Sequence, residues 1–199
     1  MGIQFNKIIF LRSANALDQC PEDCGREVAI AGRSNAGKSS VINVIANNRK
    51  LARTSKSPGR TQMLNFFLVG DNYRLVDLPG YGFAHVPADV KQHWGKLLQA
   101  YFEYRQSLAG LVLVMDVRHP LKDFDTQMLS WCRDIGLPVH ILLNKADKLS
   151  QSAGLKVLDN VVRQYGADKR VSVQLFSAVT HTGVEKVKAR LRGWFDYQE

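Results

Sequence analysis

Nothing in this chain of 199 residues approaches the run of about 18 apolar residues that a membrane-spanning helix needs, so none is expected. The N-terminal MGIQFNKIIFLRS has a short apolar stretch with no small-residue cleavage site behind it, and no secretory leader is expected. Met1-Gly2 lacks the Ser or Thr that myristoylation would require, because Asn6 stands in that place. Cysteine is scarce. Cys20, Cys24 and Cys132 make no even framework, which fits a reducing cytoplasm. Cys20 and Cys24 also lack two further ligands at matching spacing, so they read as ordinary thiols rather than a zinc site. Acidic residues are short as well: 18 Asp and Glu against 27 Lys and Arg leave a net charge of +9. That surplus favours a polyanionic partner. No repeat, low-complexity tract or long linker divides the chain, so one domain over residues 1–199 is expected.

What is present is an alternation of β-branched apolar runs with segments of helical period. Strands are expected at about 5–11, 27–31, 63–69, 73–77, 110–116, 138–143 and 171–176, and helices at about 37–47, 88–106, 123–135, 150–165 and 183–197. LVLVMD (111–116) and VHILLN (139–144) are apolar almost throughout, as strands buried on both faces of a parallel sheet are. The pattern is α/β: a doubly wound, mostly parallel sheet with helices on both faces. GDNY (70–73) has tight-turn composition, so the strands at 63–69 and 73–77 should form an antiparallel hairpin at one edge of the sheet.

Between the strand EVAIA and the helix beginning near 37 lies GRSNAGKSS (32–40), a match to G-x-x-x-x-G-K-S/T. The glycines let backbone N–H groups turn inward around phosphates, and the following helix aims its unpaired N–H groups at the anion. Gly32, Arg33, Ser34, Asn35, Ala36, Gly37, Lys38, Ser39 and Ser40 are therefore candidate phosphate ligands, with Lys38 on the β/γ-phosphates and the Ser39 hydroxyl on Mg²⁺. Asp77-Leu78-Pro79-Gly80 ends the strand YRLVD, placing a carboxylate for the water shell of Mg²⁺ and the Gly80 amide for a γ-phosphate. Asn144-Lys145-Ala146-Asp147 ends VHILLN. A carboxylate at Asp147 can accept both the ring N–H and the exocyclic amine of guanine, whereas adenine would face it with a lone pair. Phe176-Ser177-Ala178 follows the last strand and can support the guanine carbonyl through backbone N–H groups. In this order the set selects GTP.

The stretch 48–62, NRKLARTSKSPGRTQ, carries five basic residues and no acid, and a loop of that length in a compact domain suggests function or motion. A threonine in it should give Mg²⁺ a hydroxyl. Thr54 and Thr61 both qualify, and Thr61 has the shorter tether to the strand at 63–69; Gly59 and Arg60 accompany it. Many GTPases place a Gln directly after DxxG to orient the attacking water; here it is Tyr81, so intrinsic turnover should be slow and the catalytic residue is not assigned. His85 is the nearest other base, and Arg53 or Arg60 could stabilise charge in cis. His119 should shape a turn, and Trp94, Trp131 and Trp194 should pack. In VEKVKARLRGWF, Val184, Val187, Leu191 and Trp194 share a face, leaving Lys186, Lys188, Arg190 and Arg192 to solvent or RNA.

GRSNAGKSS, LARTSKSPGRTQ, LVDLPGYGFA, MDVRHPLKD, NKADKL and FSA, in this order, resemble the EngB/YihA family of bacterial GTPases. These belong to the wider class that includes TrmE, Era, EngA and septins. The resemblance runs from about residue 5 to 196 and rests most specifically on SKSPGRTQ and DVRHPLKD. It implies a P-loop fold of the Ras-like kind and a cytoplasmic GTPase needed for assembly of the large ribosomal subunit and for normal septation. Lys38, Ser39, Thr61, Asp77, Asn144, Lys145 and Asp147 match its nucleotide and Mg²⁺ positions, with Asp77 acting on the metal through water. Mg²⁺ is the expected cofactor; Asn35 stands where a related group of GTPases helps coordinate K⁺, which makes K⁺ a second candidate, the alternative being that Asn35 braces the loop. The expected partners are GTP or GDP and the rRNA of the large subunit or its precursor, bound by a monomer, with no DNA. The competing expectation is a regulatory GTPase that acts on a division or membrane partner without touching rRNA.

Overall fold

Seven strands form one sheet in the order β1-β3-β4-β2-β5-β6-β7. The structure is a computed structural model that describes residues 3–52, 63–81 and 88–196, without the side chains of 88–91, 93 and 94. The strands are β1 (Ile9–Ala14), β2 (Arg26–Gly32), β3 (Leu64–Leu68), β4 (Tyr73–Asp77), β5 (Leu108–Asp116), β6 (Val139–Asn144) and β7 (Val171–Leu175). The helices are α1 (Lys38–Ile45), α2 (Ala88–Tyr104), α3 (Asp123–Asp134), α4 (Gln151–Tyr165) and α5 (Val184–Phe195). Strands β4, β2, β5, β6 and β7 run parallel.

The hairpin forms as the turn composition implies, with β3 antiparallel to β4 and Gly70 at φ 83° in the turn. Its place differs from expectation. The antiparallel strand β3 is not outermost, because β1 pairs antiparallel to its free side from Ile9 opposite Leu68 to Ala14 opposite Leu64. The N-terminal strand also starts later than its apolar run suggests: Phe5–Lys7 forms a 3-10 turn, and Phe5 and Ile8 are buried under the α1/α5 side.

Alternate side chains of the central strands feed two cores. On one face Leu111, Leu113, Ile141 and Leu143 meet α2, α3 and α4 through Tyr101, Phe102, Leu129, Cys132 and Val161. On the other, Val28, Ile30, Val112 and Leu142 meet α1 and α5 through Val41, Ile42, Ile45, Val187 and Leu191. Helices on both faces leave the two ends of the strands as the polar regions of the sheet, and their C-terminal ends place the candidate site.

Candidate nucleotide site

The phosphate loop begins where β2 runs out. Gly32 has φ 156° in an extended conformation, and a Cβ there would come within 2.4 Å of the Val114 carbonyl oxygen, so β5 leaves no room for a side chain. Asn35 (φ 60°) and Gly37 (φ 103°) then turn the chain through left-handed conformations into α1. The Gly37 position is also closed: a Cβ would lie 2.3 Å from the Asn144 side-chain nitrogen. The turn is pinned by Ala36 N donating to Arg33 O at 3.0 Å. The amides of Asn35, Gly37, Lys38 and Ser39 meet no acceptor among the described residues. A loop whose N–H groups converge without acceptors at a helix start is built for an anion.

The second segment docks directly against the first. Ser34 N donates to Tyr81 O at 2.9 Å, and a Cβ on Gly80 would come 3.2 Å from Lys38 Nζ and 3.3 Å from Ser34 Cα. Asp77 is 4 % exposed, and its Oδ1 has no hydrogen-bond partner among the described residues. Lys38 Nζ stands 3.8 Å from that oxygen, too far for a good hydrogen bond. Burial raises the Asp77 pKa, and the Lys38 ammonium only partly opposes it. A buried carboxylate with an orphaned oxygen beside Lys38, which Ser39 follows at the start of α1, suits a hard cation or its waters.

Tyr81 is turned away from this opening. Its ring is 5 % exposed and its hydroxyl donates to Asp125 Oδ1 at 2.8 Å, while Asp125 Oδ2 accepts from Lys122 N at 3.0 Å and so caps α3. The residue in the usual glutamine's place is thus a core strut between the loop after β4 and α3.

The third segment ties itself to the first from across the sheet. Asn144, 2 % exposed, donates from Nδ2 to Ala36 O at 2.8 Å. Lys145, at φ 63°, donates from Nζ to Asn35 O at 2.7 Å. Ala146 N donates to Phe176 O at 3.0 Å, and Ser177 Oγ donates to Asp147 Oδ1 at 2.6 Å while accepting from Val179 N and Thr180 N. The Ser177 hydrogen bond leads the causes that hold the Asp147 carboxyl below its ordinary pKa, so it stays ionised.

Two residues that sequence reasoning left without a role belong to this construction. Asp116, at the end of β5 and level with Asn144, pairs its Oδ2 with Lys145 Nζ at 2.9 Å and with Arg118 Nη2 at 2.7 Å. Arg118 also donates from Nε to Asp116 Oδ1 at 2.9 Å, and these bonds hold the Asp116 carboxyl far below the usual range. Lys145 is therefore fixed at two points. The available signal was an acidic residue ending an apolar strand one strand over from Asn144. Gly59, Arg60 and Thr61, and with them Arg53, Thr54, Lys56 and His85, lie outside the described residues. The start of the basic loop is held, however: the Asn43 side chain exchanges hydrogen bonds with Ala52 N and O at 2.7 and 2.9 Å. His119 N closes a turn on Asp116 O at 3.0 Å, and Trp131 packs 4.9 Å from Phe102, as expected of both.

Comparison with known proteins places this geometry. Residues 27–145, more than half of the chain, match the family model described as 50S ribosome-binding GTPase. The fold is similar to the crystal structure of a probable GTP-binding protein EngB, with 22% identity, 86% of this chain and 100% of that one covered, and a TM-score of 0.69. It is also similar to Era from Aquifex aeolicus bound to GDP and AlF4− (16% identity, 88% and 58% covered, TM-score 0.67). NFeoB from S. thermophilus bound to GDP shares 26% identity over 85% of this chain and 61% of that one, with a TM-score of 0.58. The EngB likeness is one of fold. With a phosphate loop, a DxxG segment and an N-K-x-D loop brought to one end of a doubly wound sheet, and a family match that runs across β2, β4, β5 and β6, four of its five parallel strands, the chain belongs to the family of 50S ribosome-binding GTPases.

Proposed function

We propose that this protein is a GTP-dependent switch in assembly of the large ribosomal subunit, working in the cytoplasm as a monomeric GTP-binding domain over residues 1–199. The observation that carries the nucleotide half of this reading is the buried, unpartnered Asp77 Oδ1 facing Lys38 beneath the open amides of the phosphate loop. In this reading Gly32 to Ser40 wrap the phosphates, and Lys38 leaves Asp77 for the β/γ-phosphates. Ser39 and Thr61 would hold Mg²⁺ directly and Asp77 through water; the ion, when bound, would neutralise charge on the phosphate oxygens. Gly80 offers its amide to the γ-phosphate, with Leu78 and Pro79 setting the turn and Gly59 and Arg60 beside Thr61. Asn144, Lys145 and Ala146 carry the base loop, Asp147 reads the guanine edge, and Phe176, Ser177 and Ala178 back it. The exposed side chain of Asn35 is free to help hold K⁺.

Turnover is slow in this reading because Tyr81 is committed to Asp125, so a partner has to complete the hydrolytic site. The ribosomal half is supported by the family match and by the net charge of +9. No described helix is long and apolar enough to cross a membrane. Co-sedimentation of the protein with large subunits tests the proposal. Binding with a non-hydrolysable GTP analogue and release with GDP is the expected result. The same distribution in every nucleotide state would overturn it and favour the division or membrane partner.

A further inference from the structure

A chain of hydrogen-bonded polar side chains lies inside the core, on the α1/α5 face of the sheet. His140 stands two residues before Leu142 on β6 and shares its face; it is level with Ser172 on β7, and Gln174 is level with Leu142. His140 and Gln174 are 1% and 3% exposed. Polar groups are costly there without partners, and these are matched. Gln174 Nε2 donates to Gly183 O at 2.8 Å and to Leu175 O at 3.3 Å. Its Oε1 is left to accept from His140 Nε2 at 2.9 Å, so His140 Nδ1 carries no proton and accepts from Ser172 Oγ at 2.7 Å. Burial, helped by the Arg190 and Lys186 charges on α5, pushes the His140 pKa down to about 4 and keeps the ring neutral. One tautomer satisfies the whole chain.

The far end of this chain is a backbone carbonyl at the edge of the base site. Gly183 ends the loop after β7 and caps α5, at φ 79°. A Cβ there would come 2.4 Å from Gln174 Nε2 and 2.5 Å from Leu175 O, so the glutamine amide is seated directly on the loop backbone. The other end of the loop is held by the sheet, where Phe176 N donates to Leu143 O at 2.9 Å. Between these points Ser177 N donates to Thr182 O at 3.1 Å and closes the loop. Within it, the Ala178 amide meets no acceptor among the described residues.

An apolar pair at these positions would fill the space between β6, β7 and α5, but it would not tie down the end of the loop. A satisfied polar pair does, because a hydrogen bond fixes distance and direction where apolar contact fixes neither. Strand β6 thereby serves both halves of the base site. Asn144 to Asp147 follow from its end, and His140 reaches the loop of Ala178 through Gln174. We propose that His140 and Gln174 are positioning residues for guanine, holding the loop 177–182 so that the Ala178 amide meets the carbonyl oxygen of the base. The inference rests on the GTP reading of the site and adds the residues that aim its carbonyl contact.

The test is calorimetry of the full chain, in Mg²⁺, with GDP and with 6-thio-GDP. The sulfur of the second accepts a hydrogen bond far more weakly than the carbonyl oxygen, while the edge read by Asp147 is kept. Wild type should favour GDP. Gln174→Met and His140→Leu should each weaken GDP by about fivefold, roughly the worth of one neutral hydrogen bond, and leave 6-thio-GDP within about twofold. His140→Gln returns a donor to Gln174 Oε1 and should restore the preference for GDP, a rescue that a packing role alone does not give. An equal loss of both nucleotides in the apolar variants would make the pair a feature of the fold only and overturn the proposal. A preference for GDP kept at its wild-type value in those variants overturns it too, as does a wild type without that preference. Should Gln174→Met fail to fold, His140→Leu, which keeps the glutamine in place, decides. A wild type that binds neither nucleotide sinks the GTP reading itself, whereas tight GDP binding with an unmoved preference sinks only this inference.

Discussion

Two carboxylates are buried at opposite ends of the same parallel strands, and they are treated in opposite ways. Glu27, at the start of β2, is 0 % exposed and fully matched. Its Oε1 accepts from Arg74 Nε at 2.6 Å and Arg105 Nη2 at 2.8 Å, and its Oε2 accepts from Arg105 Nε and Tyr101 Oη, both at 3.0 Å. The same arginines donate to the carbonyls of Pro21, Glu22 and Cys24, so the network also seals the loop before β2. Asp77, at the end of the neighbouring β4, has an oxygen with no partner and a lysine 3.8 Å away. A buried charge left unmatched is costly, and a chain keeps one where a ligand finishes the job. One end of the sheet is complete in itself, and the other keeps an unmatched oxygen that, in the function proposed above, a metal-bound nucleotide completes.

The sharpest way to break that contrast is at Glu27. Glu27→Gln leaves Arg74, whose side chain is 6% exposed, without its counter-charge, and leaves Arg105, 7% exposed, with Asp23 at 3.5 Å alone. Loss of about 3–5 kcal/mol in urea unfolding is expected. Nucleotide affinity of the folded fraction should hardly move; a stability within 1 kcal/mol of wild type, roughly the scatter of surface substitutions, would show the network to be ornamental.

At the other end the effects should fall on ligands instead. Asp147→Asn should weaken GTP and GDP by about a hundredfold and admit xanthine nucleotides, whose ring presents a complementary carbonyl. Calorimetry with the four nucleotides measures this, and equal GTP binding by mutant and wild type would remove Asp147 from the base site. A smaller effect is expected at Asp116. Asp116→Asn frees one of the two anchors of Lys145, and stopped-flow release of a fluorescent GDP should quicken by about tenfold, since a charge-assisted bond contributes roughly 1.5 kcal/mol. Because the Asp116 carboxylate bonds Arg118 and Lys145 and, among the described residues, no other side chain, unfolding of the nucleotide-free protein should change little. The reverse pattern, altered unfolding with unaltered release, would make Asp116 a fold residue.

The same contrast explains what could be read from the sequence. Each nucleotide segment is a strand end followed by residues with unusual backbone demands, so GRSNAGKSS, DLPG and NKAD announce themselves locally. The apolar runs of β5 and β6 and the turn at GDNY were legible for the same reason. Partners of Glu27 lie 47, 74 and 78 residues away, and nothing local marks a glutamate that will be buried. The position of β1 was hidden similarly. Ile9, Phe10 and Leu11 are 56%, 51% and 40% exposed, and an apolar run does not say which strand it will pair with, so the hairpin looked like the edge. Tyr81 could be recognised as a missing glutamine, but only the fold supplies Asp125, 44 residues on, as its partner.

The most direct measurement is the unfolding free energy of wild type and Asp77→Asn, each with and without Mg²⁺ and GDP. The amide keeps the shape of Asp77 and removes the buried charge. Without ligand the variant should be as stable as wild type or more so, by about 1 kcal/mol. With Mg²⁺ and GDP the order should reverse, because wild type gains the larger stabilisation from binding. If Asp77→Asn is instead the less stable protein without ligand, Asp77 is already satisfied by the chain alone, and the idea of an end left open for a metal-bound nucleotide is contradicted.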